Sequence, residues 1–182
     1  QINNFKIYCY VNEFNLTDLS KLSKNINIIY RNYANNSNLE NILKIKKYCK
    51  NKKYKFYIAN DIKLSLKLRL DGIYIPSFNK KINFLNGYCL PKNFSIIGSA
   101  HNFDEINIKI KQKCSEIFLS PIFKVNKSKK FLGISKFNFL TLNQQTNFIA
   151  LGGINEKNYK KLQMLNLNGF ASIGWAKKNG LK

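Results

Sequence analysis

The chain has 182 residues, 45% of them hydrophobic and 14% aromatic, so it can bury a core and is not a disordered basic tail. Its 31 Lys and Arg residues outnumber 9 Asp and Glu residues, which gives a formal net charge of +22. No stretch reaches the roughly 18 consecutive apolar residues of a membrane span. The N-terminus also lacks a signal-peptide pattern. We therefore expect a soluble, cytoplasmic protein.

Short apolar runs alternate with amphipathic stretches along the chain. The apolar runs predict eight strands, at residues 5–11, 26–31, 55–59, 72–75, 94–97, 116–119, 148–151 and 170–173. The amphipathic stretches predict helices at residues 17–24, 39–50, 62–70, 103–113, 156–165 and 176–182. The periodicity of 103–113 is ambiguous, because Ile106, Ile108 and Ile110 alternate as they would in a strand.

Nearly all-apolar strands that alternate with helices indicate a parallel sheet covered on both faces. Eight such units favour a compact (β/α)8 TIM barrel with short helices, formed as a single domain by residues 1–182. The length lies below the roughly 200 residues at the lower end of that fold. A doubly wound open sheet is therefore the structural alternative.

The high positive charge raises the possibility of nucleic-acid binding. Recognition of bases and phosphates favours arginine, however, and this chain has only Arg31 and Arg69. The lysines are spread over the whole chain rather than gathered in one block. Compositional bias explains this distribution better than a nucleic-acid partner does, and attraction of phosphorylated small molecules is the second explanation.

The four cysteines, Cys9, Cys49, Cys89 and Cys114, are far apart, and the chain has a single histidine. This spacing excludes the usual structural zinc motifs. We expect the thiols to be small buried hydrophobes in a reducing cytoplasm.

Glycines follow the last two predicted strands. Gly152 and Gly153 follow the seventh, and Gly174 follows the eighth. In TIM barrels, backbone N–H groups at these two strand ends form the usual phosphate site. The pattern predicts such a site; the alternative is that the glycines only form tight turns.

These residues also carry a resemblance. Residues 150–155, ALGGIN, resemble the "AIGGIN" motif of the thiamine-phosphate synthase/TenI family, and residues 169–176 follow at that family's spacing. Residues 96–101, IIGSAH, resemble "IIGvSTH", shorter by one residue. Residues 120–123, SPIF, resemble "GPvF" and precede a loop and residues 132–134, LGI, where the family has "GL".

The first half of the chain resembles the same family. Residues 60–64 and 71–75 are similar to "NDrvdLAl…aDGVHlGQeD", and residues 29–31 are similar to the "QlReK" strand. The ordered set spans nearly the whole chain, so it is much more specific than any single motif. The resemblance independently implies a (β/α)8 barrel.

In that family, the synthase joins hydroxymethylpyrimidine diphosphate to thiazole phosphate and releases diphosphate with the help of Mg²⁺. The resemblance implies a phosphorylated small-molecule substrate here, and a homodimer remains open. The positions implied in binding and catalysis are Gly152, Gly153, Ile173 and Gly174 for the thiazole phosphate; Arg31 and Lys127 or Lys129 for diphosphate; Asp61 and Asn79 for the metal; Asn60 and Ser99 for substrate; and His101 as a catalytic candidate.

The chain departs from the family at several of these positions. Ile29 replaces the glutamine before the arginine, and Tyr33 replaces the lysine after it. Asn79 replaces the second metal-binding aspartate. The changes at Tyr33 and Asn79 remove charge where it would be most useful, so the alternative function is a homologue that binds a thiazole or thiamine phosphate without turnover.

Other interpretations also remain open. Thiazole tautomerase is a further alternative, but the histidine of characterised tautomerases would fall near Pro121. Asp61 is equally suited to cap a helix. Arg31 could form an ion pair at the barrel mouth, and His101 could have only a hydrogen-bonding role.

Overall fold

Eight parallel strands form a closed barrel in chain order, from β1 beside β2 round to β8 beside β1. The structure, a computed structural model, describes residues 5–22, 26–34, 38–126, 128 and 130–172. The strands are β1 Lys6–Val11, β2 Ile26–Tyr30, β3 Phe56–Ala59, β4 Gly72–Ile75, β5 Ser95–Ala100, β6 Glu116–Leu119, β7 Asn147–Leu151 and β8 Gly169–Ser172. The TIM-barrel prediction is confirmed, and the open-sheet alternative is wrong.

Helices connect most of the strands on the outside of the barrel. They are α1 Leu16–Ser20, α2 Leu39–Lys52, α3 Ile62–Lys67, α4 Phe103–Lys111, α5 Gly133–Thr141 and a 3₁₀ helix at Tyr159–Met164. Four of them begin at a residue whose side chain accepts a hydrogen bond from a backbone N–H in the first turn; these N-caps are Asn15, Asn38, Asp61 and Asn102.

Several predicted elements differ from the structure. The strand predicted at 94–97 extends to Ala100, and the helix predicted at 156–165 is a short 3₁₀ helix. Sequence analysis missed α5, which buries Phe137, Leu140 and Thr141 although aromatic, Asn and Thr residues are weak helix formers. The ambiguous segment is helical over Phe103–Lys111, which buries Ile106 in the core and leaves Ile110 partly exposed. The helix predicted at 176–182 lies outside the described residues.

Side chains fill the barrel interior. Those that point inward from the strands are Tyr8, Tyr10, Ile29, Tyr57, Ala59, Tyr74, Ile97, Phe118, Ile149, Leu151 and Ala171. Residues of the opposite alternation pack against the helices in two further clusters. The interior is therefore a packed core, as expected for this fold.

At the amino-terminal end of the barrel, the buried Glu116 carboxylate accepts hydrogen bonds from two side chains of β1. The Tyr8 hydroxyl donates to Glu116 Oε2 at 2.5 Å, and the Lys6 ammonium donates to the other oxygen. Burial and the neighbouring Glu116 raise the pKa of Tyr8 far above its usual range. This end of a TIM barrel contributes to stability rather than catalysis.

The four cysteines are free thiols. Cys9, Cys49 and Cys114 are buried as predicted, and burial raises the pKa of Cys49 and Cys114 to about 12. Cys89 is exposed, which corrects the expectation for that thiol. None of the helices in the described ranges is long and apolar enough to cross a membrane. The assignment of residues 1–182 to one domain stays a prediction.

Candidate functional site

The residues singled out from the sequence converge at the carboxyl ends of the strands. Arg31 follows β2, Asn60 and Asp61 follow β3, His101 follows β5, and Gly152 begins the turn after β7. Loops at this end of a TIM barrel carry the active site. The fold therefore brings side chains from distant parts of the sequence to one mouth.

Arg31 lies over the barrel interior and is tied to β1. Its backbone N–H donates to the Val11 carbonyl at 2.8 Å, and its guanidinium carbon lies 4.3 Å from the centre of the Tyr10 ring. The ion pairs found among the described residues involve other side chains, so the alternative of an ion pair at Arg31 finds no support there. Among the described residues, therefore, no carboxylate neutralises the positive charge that Arg31 places at the mouth.

Asn60 and Asn79 join two loops of the mouth. The Asn79 amide donates to Asn60 Oδ1 at 2.6 Å, and Asn79 Oδ1 accepts from the Lys81 backbone N–H at 3.1 Å. Asn60 has a left-handed backbone, with φ of 60°, and its N–H donates to the Tyr74 carbonyl at 2.9 Å. The side-chain oxygen of each asparagine therefore already accepts one hydrogen bond.

Asp61 is the N-cap of α3. Its Oδ1 accepts from the Leu64 backbone N–H at 2.9 Å, so the capping interpretation is confirmed. The cap uses one carboxylate oxygen and leaves Oδ2 for another partner. A structural role and a ligand-binding role are thus compatible at this residue.

Of the side chains described at the mouth, Asp61 supplies the one carboxylate that suits a magnesium ion. Among the described residues, no group of three or more His, Cys, Asp or Glu side chains is placed to hold a metal. Asn60 Oδ1 accepts a hydrogen bond from the Asn79 amide, and Asn79 Oδ1 accepts one from the Lys81 backbone N–H. Mg²⁺ commonly binds one or two carboxylates together with substrate phosphates and water. Asp61 Oδ2 suits that mode, with the substrate supplying the other ligands.

A buried lysine that sequence analysis missed holds the loop after β4. Lys109 on α4 is fully buried, and its ammonium donates to the carbonyls of Pro76 and Asn79 and to Gln112 Oε1 at 2.8–2.9 Å. Gln112 donates to the carbonyls of Asn79 and Lys81 at 3.0 and 2.9 Å. Burial lowers the pKa of Lys109 to about 8. Lys109 and Gln112 together fix the loop that carries Asn79.

His101 has a partner at each ring nitrogen. Nδ1 lies 2.8 Å from the Ser120 carbonyl oxygen, which only accepts, so Nδ1 carries a proton. Nε2 lies 3.2 Å from Ser77 Oγ and, in the neutral ring, accepts the serine proton. The backbone N–H of His101 donates to Glu105 Oε2 at 2.8 Å. The predicted hydrogen-bonding role is present, and it holds the ring between the loops after β4 and β6.

Ser99 lies two residues before His101 on β5 and is 5% exposed. It shares the inward alternation of Ile97, so it belongs to the upper part of the barrel interior. Its role as a substrate contact stays a prediction.

Gly152 and Gly153 are required by a close contact between two loops. Both have positive φ angles, 95° and 74°, and a Cβ on Gly153 would lie 2.6 Å from the Phe123 carbonyl oxygen. The Phe123 N–H donates to the Gly152 carbonyl at 3.1 Å, and the Asn158 side chain donates to the Gly153 carbonyl at 2.8 Å. Tight-turn geometry therefore explains these glycines, and it leaves the phosphate-binding prediction untested.

Several predicted positions lie outside the described residues. They are Lys127 and Lys129 of the loop after β6, and Ile173 and Gly174 after β8. Their roles stay predictions.

The departure at Tyr33 places an aromatic pair at the mouth. The Tyr33 and Phe78 rings meet edge to face, with centroids 5.3 Å apart; Tyr33 is about half exposed and Phe78 is exposed over most of its surface. The buried half of the Tyr33 side chain, together with the neighbouring Tyr74, raises the pKa of Tyr33 above its usual range. Aromatic contacts thus stand where the family resemblance implies a cation.

Sequence comparisons place the chain among known proteins. The family model described as thiamine monophosphate synthase matches residues 22–175. Thiamine-phosphate synthases from two strains of Prochlorococcus marinus are 30% and 31% identical over 129 and 120 residues, which are 69% and 64% of this chain. These stretches are only 36% and 34% of the relatives, so the chain spans about a third of the length of the curated relatives it matches.

Solved structures show the same fold. Thiamine phosphate pyrophosphorylase from Pyrococcus furiosus superposes with a TM-score of 0.76 at 14% identity, covering 98% of this chain and 91% of that one. The corresponding protein from Bacteroides thetaiotaomicron gives a TM-score of 0.61 at 15% identity, covering 93% and 83%. At these identities the likeness supports the fold alone.

Proposed function

The chain belongs to the thiamine monophosphate synthase family, and from this premise we propose that it joins hydroxymethylpyrimidine diphosphate to thiazole phosphate and releases diphosphate. The observation that carries the proposal is Arg31, whose guanidinium lies over the barrel mouth without a carboxylate partner among the described residues. As the bond between the pyrimidine methylene carbon and the diphosphate oxygen breaks, negative charge grows on the leaving group. A fixed cation stabilises that charge most where water is excluded.

Asp61 is the residue that would hold magnesium, through the oxygen its helix cap leaves available. A bound Mg²⁺ would neutralise part of the diphosphate charge. Asn60 and Asn79, which the Lys109 and Gln112 hydrogen bonds keep in place, would border the same ligand. The proposal thus assigns one carboxylate and one arginine to the leaving group.

The thiazole phosphate would occupy the glycine turn after β7. The carbonyls of Gly152 and Gly153 accept hydrogen bonds from Phe123 and Asn158, while no described residue accepts from their N–H groups. Such N–H groups at the seventh and eighth strand ends suit a phosphate. Ile173 and Gly174 would complete this phosphate site.

A second candidate function is ligand binding without turnover, in the manner of a carrier. Ile29, Tyr33 and Asn79 favour it, because each replaces a polar or charged side chain that the family resemblance implies. The tautomerase alternative has less support, since Pro121 occupies the region of the tautomerase histidine.

We propose a cytoplasmic location for the protein. The free thiols at Cys9, Cys49, Cys89 and Cys114 support it, because a reducing compartment keeps cysteines unpaired.

Purified protein incubated with both substrates and Mg²⁺ tests the proposal. Chromatographic detection of thiamine phosphate, with release of an equal amount of diphosphate, supports the synthase. Calorimetric binding of thiazole phosphate or thiamine phosphate without any product would favour the carrier function.

A further inference from the structure

We propose that Tyr10 is a positioning residue for Arg31, and that its buried ring holds the guanidinium ready for an anionic ligand. The inference deepens the proposed function and rests on it for the identity of the anion, a diphosphate group. The Arg31 guanidinium carbon lies 4.3 Å from the centre of the Tyr10 ring. A cation within about 6 Å of an aromatic ring centre is attracted to the ring face.

The Tyr10 ring is itself immobilised by its neighbours. It is 3% exposed and meets Tyr74 and Phe118 edge to face, with centroids 5.5 and 6.2 Å away. The Arg31 backbone is fixed to the same strand, because its N–H donates to the carbonyl of Val11, the residue after Tyr10. Both ends of Arg31 are therefore held against β1.

Holding an arginine with an aromatic ring has a different consequence from holding it with a carboxylate. A carboxylate would cancel the positive charge and occupy the N–H donors. The ring leaves the charge in place, and no described carboxylate pairs with Arg31. The guanidinium keeps its planar set of donors, which matches the oxygens of a phosphate group.

The Tyr10 ring contacts Arg31, and the Tyr10 hydroxyl takes no part in that contact. It is buried and has no hydrogen-bond partner among the described residues. Burial, and after it the neighbouring Tyr74, raises the pKa of Tyr10 well above its usual range, so the hydroxyl stays protonated. Phenylalanine would keep the ring that Arg31 contacts and remove only the unpaired hydroxyl, which makes Tyr10→Phe a conservative variant.

The experiment measures binding of inorganic diphosphate by calorimetry. We expect Tyr10→Phe to bind within about twofold of the wild type and Tyr10→Leu to bind about tenfold more weakly. Tyr57→Leu is the matched control, because Tyr57 is another inward tyrosine of the barrel and contacts Tyr8 rather than Arg31. In an Arg31→Ala background, Tyr10→Leu should cause no further loss.

A second series covers the case in which Tyr10→Leu does not fold. Phenylalanine carrying one, two or three fluorines at position 10 keeps the ring shape and weakens its attraction for a cation stepwise. We expect diphosphate affinity to fall with each fluorine while the melting temperature stays nearly constant.

Several results would overturn the proposal. They are wild-type protein that does not bind diphosphate, equal affinity in the fluorinated series, an equal loss in Tyr57→Leu, or an additional loss from Tyr10→Leu when Arg31 is absent. A parallel assay of product formation separates the two claims. Product with ring-independent binding rejects only the role of Tyr10, whereas ring-dependent binding without product rejects only the synthase.

Discussion

The side-chain amide of Asn79 donates to the side-chain oxygen of Asn60 at 2.6 Å, and this bond joins the loops after β4 and β3 at the barrel mouth. The family resemblance implies an aspartate at position 79, and a carboxylate has no N–H to donate. The chain therefore has a hydrogen bond between two loops where a second metal-binding carboxylate is expected. This exchange leaves Asp61 as the carboxylate available for magnesium.

Asn79→Asp should increase the affinity for Mg²⁺ and lower the free energy of unfolding. The new carboxylate would add a metal ligand but lose the bond to Asn60, which costs about 1 kcal/mol of unfolding free energy. The measurement is the Mg²⁺ concentration that gives half-maximal product formation, which should fall several-fold. Asn79→Ala loses the same bond without adding charge. If both variants respond alike to Mg²⁺, position 79 lies away from the metal.

Asp61→Asn separates the two roles of Asp61. Asparagine caps a helix about as well as aspartate, so the unfolding free energy should change by only a few tenths of a kcal/mol. Product formation should fall at least tenfold, because the metal-binding charge is lost. Asp61→Ala should lose the cap as well and cost about 1 kcal/mol of stability. Full activity in Asp61→Asn would show that the carboxylate serves only as a cap.

Gly153→Ala should destabilise the protein more than Gly87→Ala. Both glycines have positive φ, 74° and 81°, so both alanines incur the backbone penalty of about 1–2 kcal/mol. A Cβ at Gly153 also meets the Phe123 carbonyl oxygen at 2.6 Å, whereas a Cβ at Gly87 meets nothing within 4 Å. Urea unfolding measures the difference. Equal losses would mean that the loop after β6 moves aside freely.

Tyrosine-to-phenylalanine changes at two neighbouring inward positions of β1 should have opposite effects. Tyr8→Phe removes a hydroxyl that donates to the buried Glu116 carboxylate, and it should cost about 1.5–3 kcal/mol. Tyr10→Phe removes a buried hydroxyl that has no partner among the described residues, so it should stabilise by up to about 1 kcal/mol. Chemical denaturation of both variants checks the signs. A Tyr10→Phe protein less stable than wild type would reveal a partner for that hydroxyl.

Stability should rise between pH 8 and pH 9 because of Lys109. Burial lowers its pKa from 10.5 to about 8, so in this range the unfolded chain binds a proton that the folded chain has released. The folded state is therefore favoured as pH increases. The window ends near pH 9 because the buried thiols Cys49 and Cys114, whose pKa is raised from 9.0, have the opposite effect above it.

The control for this pH dependence is Lys109→Met. This variant should be less stable at every pH, because the carbonyls of Pro76 and Asn79 lose their donor, and its stability should not rise over the window. Parallel pH profiles for the two proteins would contradict the assignment.

The strands could be predicted because strands buried on both faces of a parallel sheet consist of short, nearly continuous apolar runs. The end of β5 could not be predicted, since Gly98 and Ser99 resemble a turn. Gly98 continues the strand because α4 packs closely there, and a Cβ would lie 2.8 Å from Lys109 Cδ. The helix α5 was missed because tertiary packing of Phe137 and Leu140 outweighs its weak local propensity.

The candidate site was only partly predictable. The family resemblance implied Arg31 and Asp61, and the fold places both directly after strand ends that share one face of the barrel. Lys109 gave no signal, because a lysine on a helix is normally exposed. Its burial depends on the carbonyls of the loop after β4, whose course follows from the tertiary structure alone. The partner of Arg31 was likewise hidden, because Tyr10 is read from the sequence as an ordinary strand residue.

The most direct test of the central claim is the number of thiamine phosphate molecules formed per protein molecule. The chain is incubated at low concentration with excess hydroxymethylpyrimidine diphosphate, thiazole phosphate and Mg²⁺. The proposed function predicts many products per protein, with diphosphate released in equal amount, and a large loss in the Asp61→Asn variant. Stoichiometric binding of thiazole phosphate with no thiamine phosphate at any Mg²⁺ concentration would contradict it.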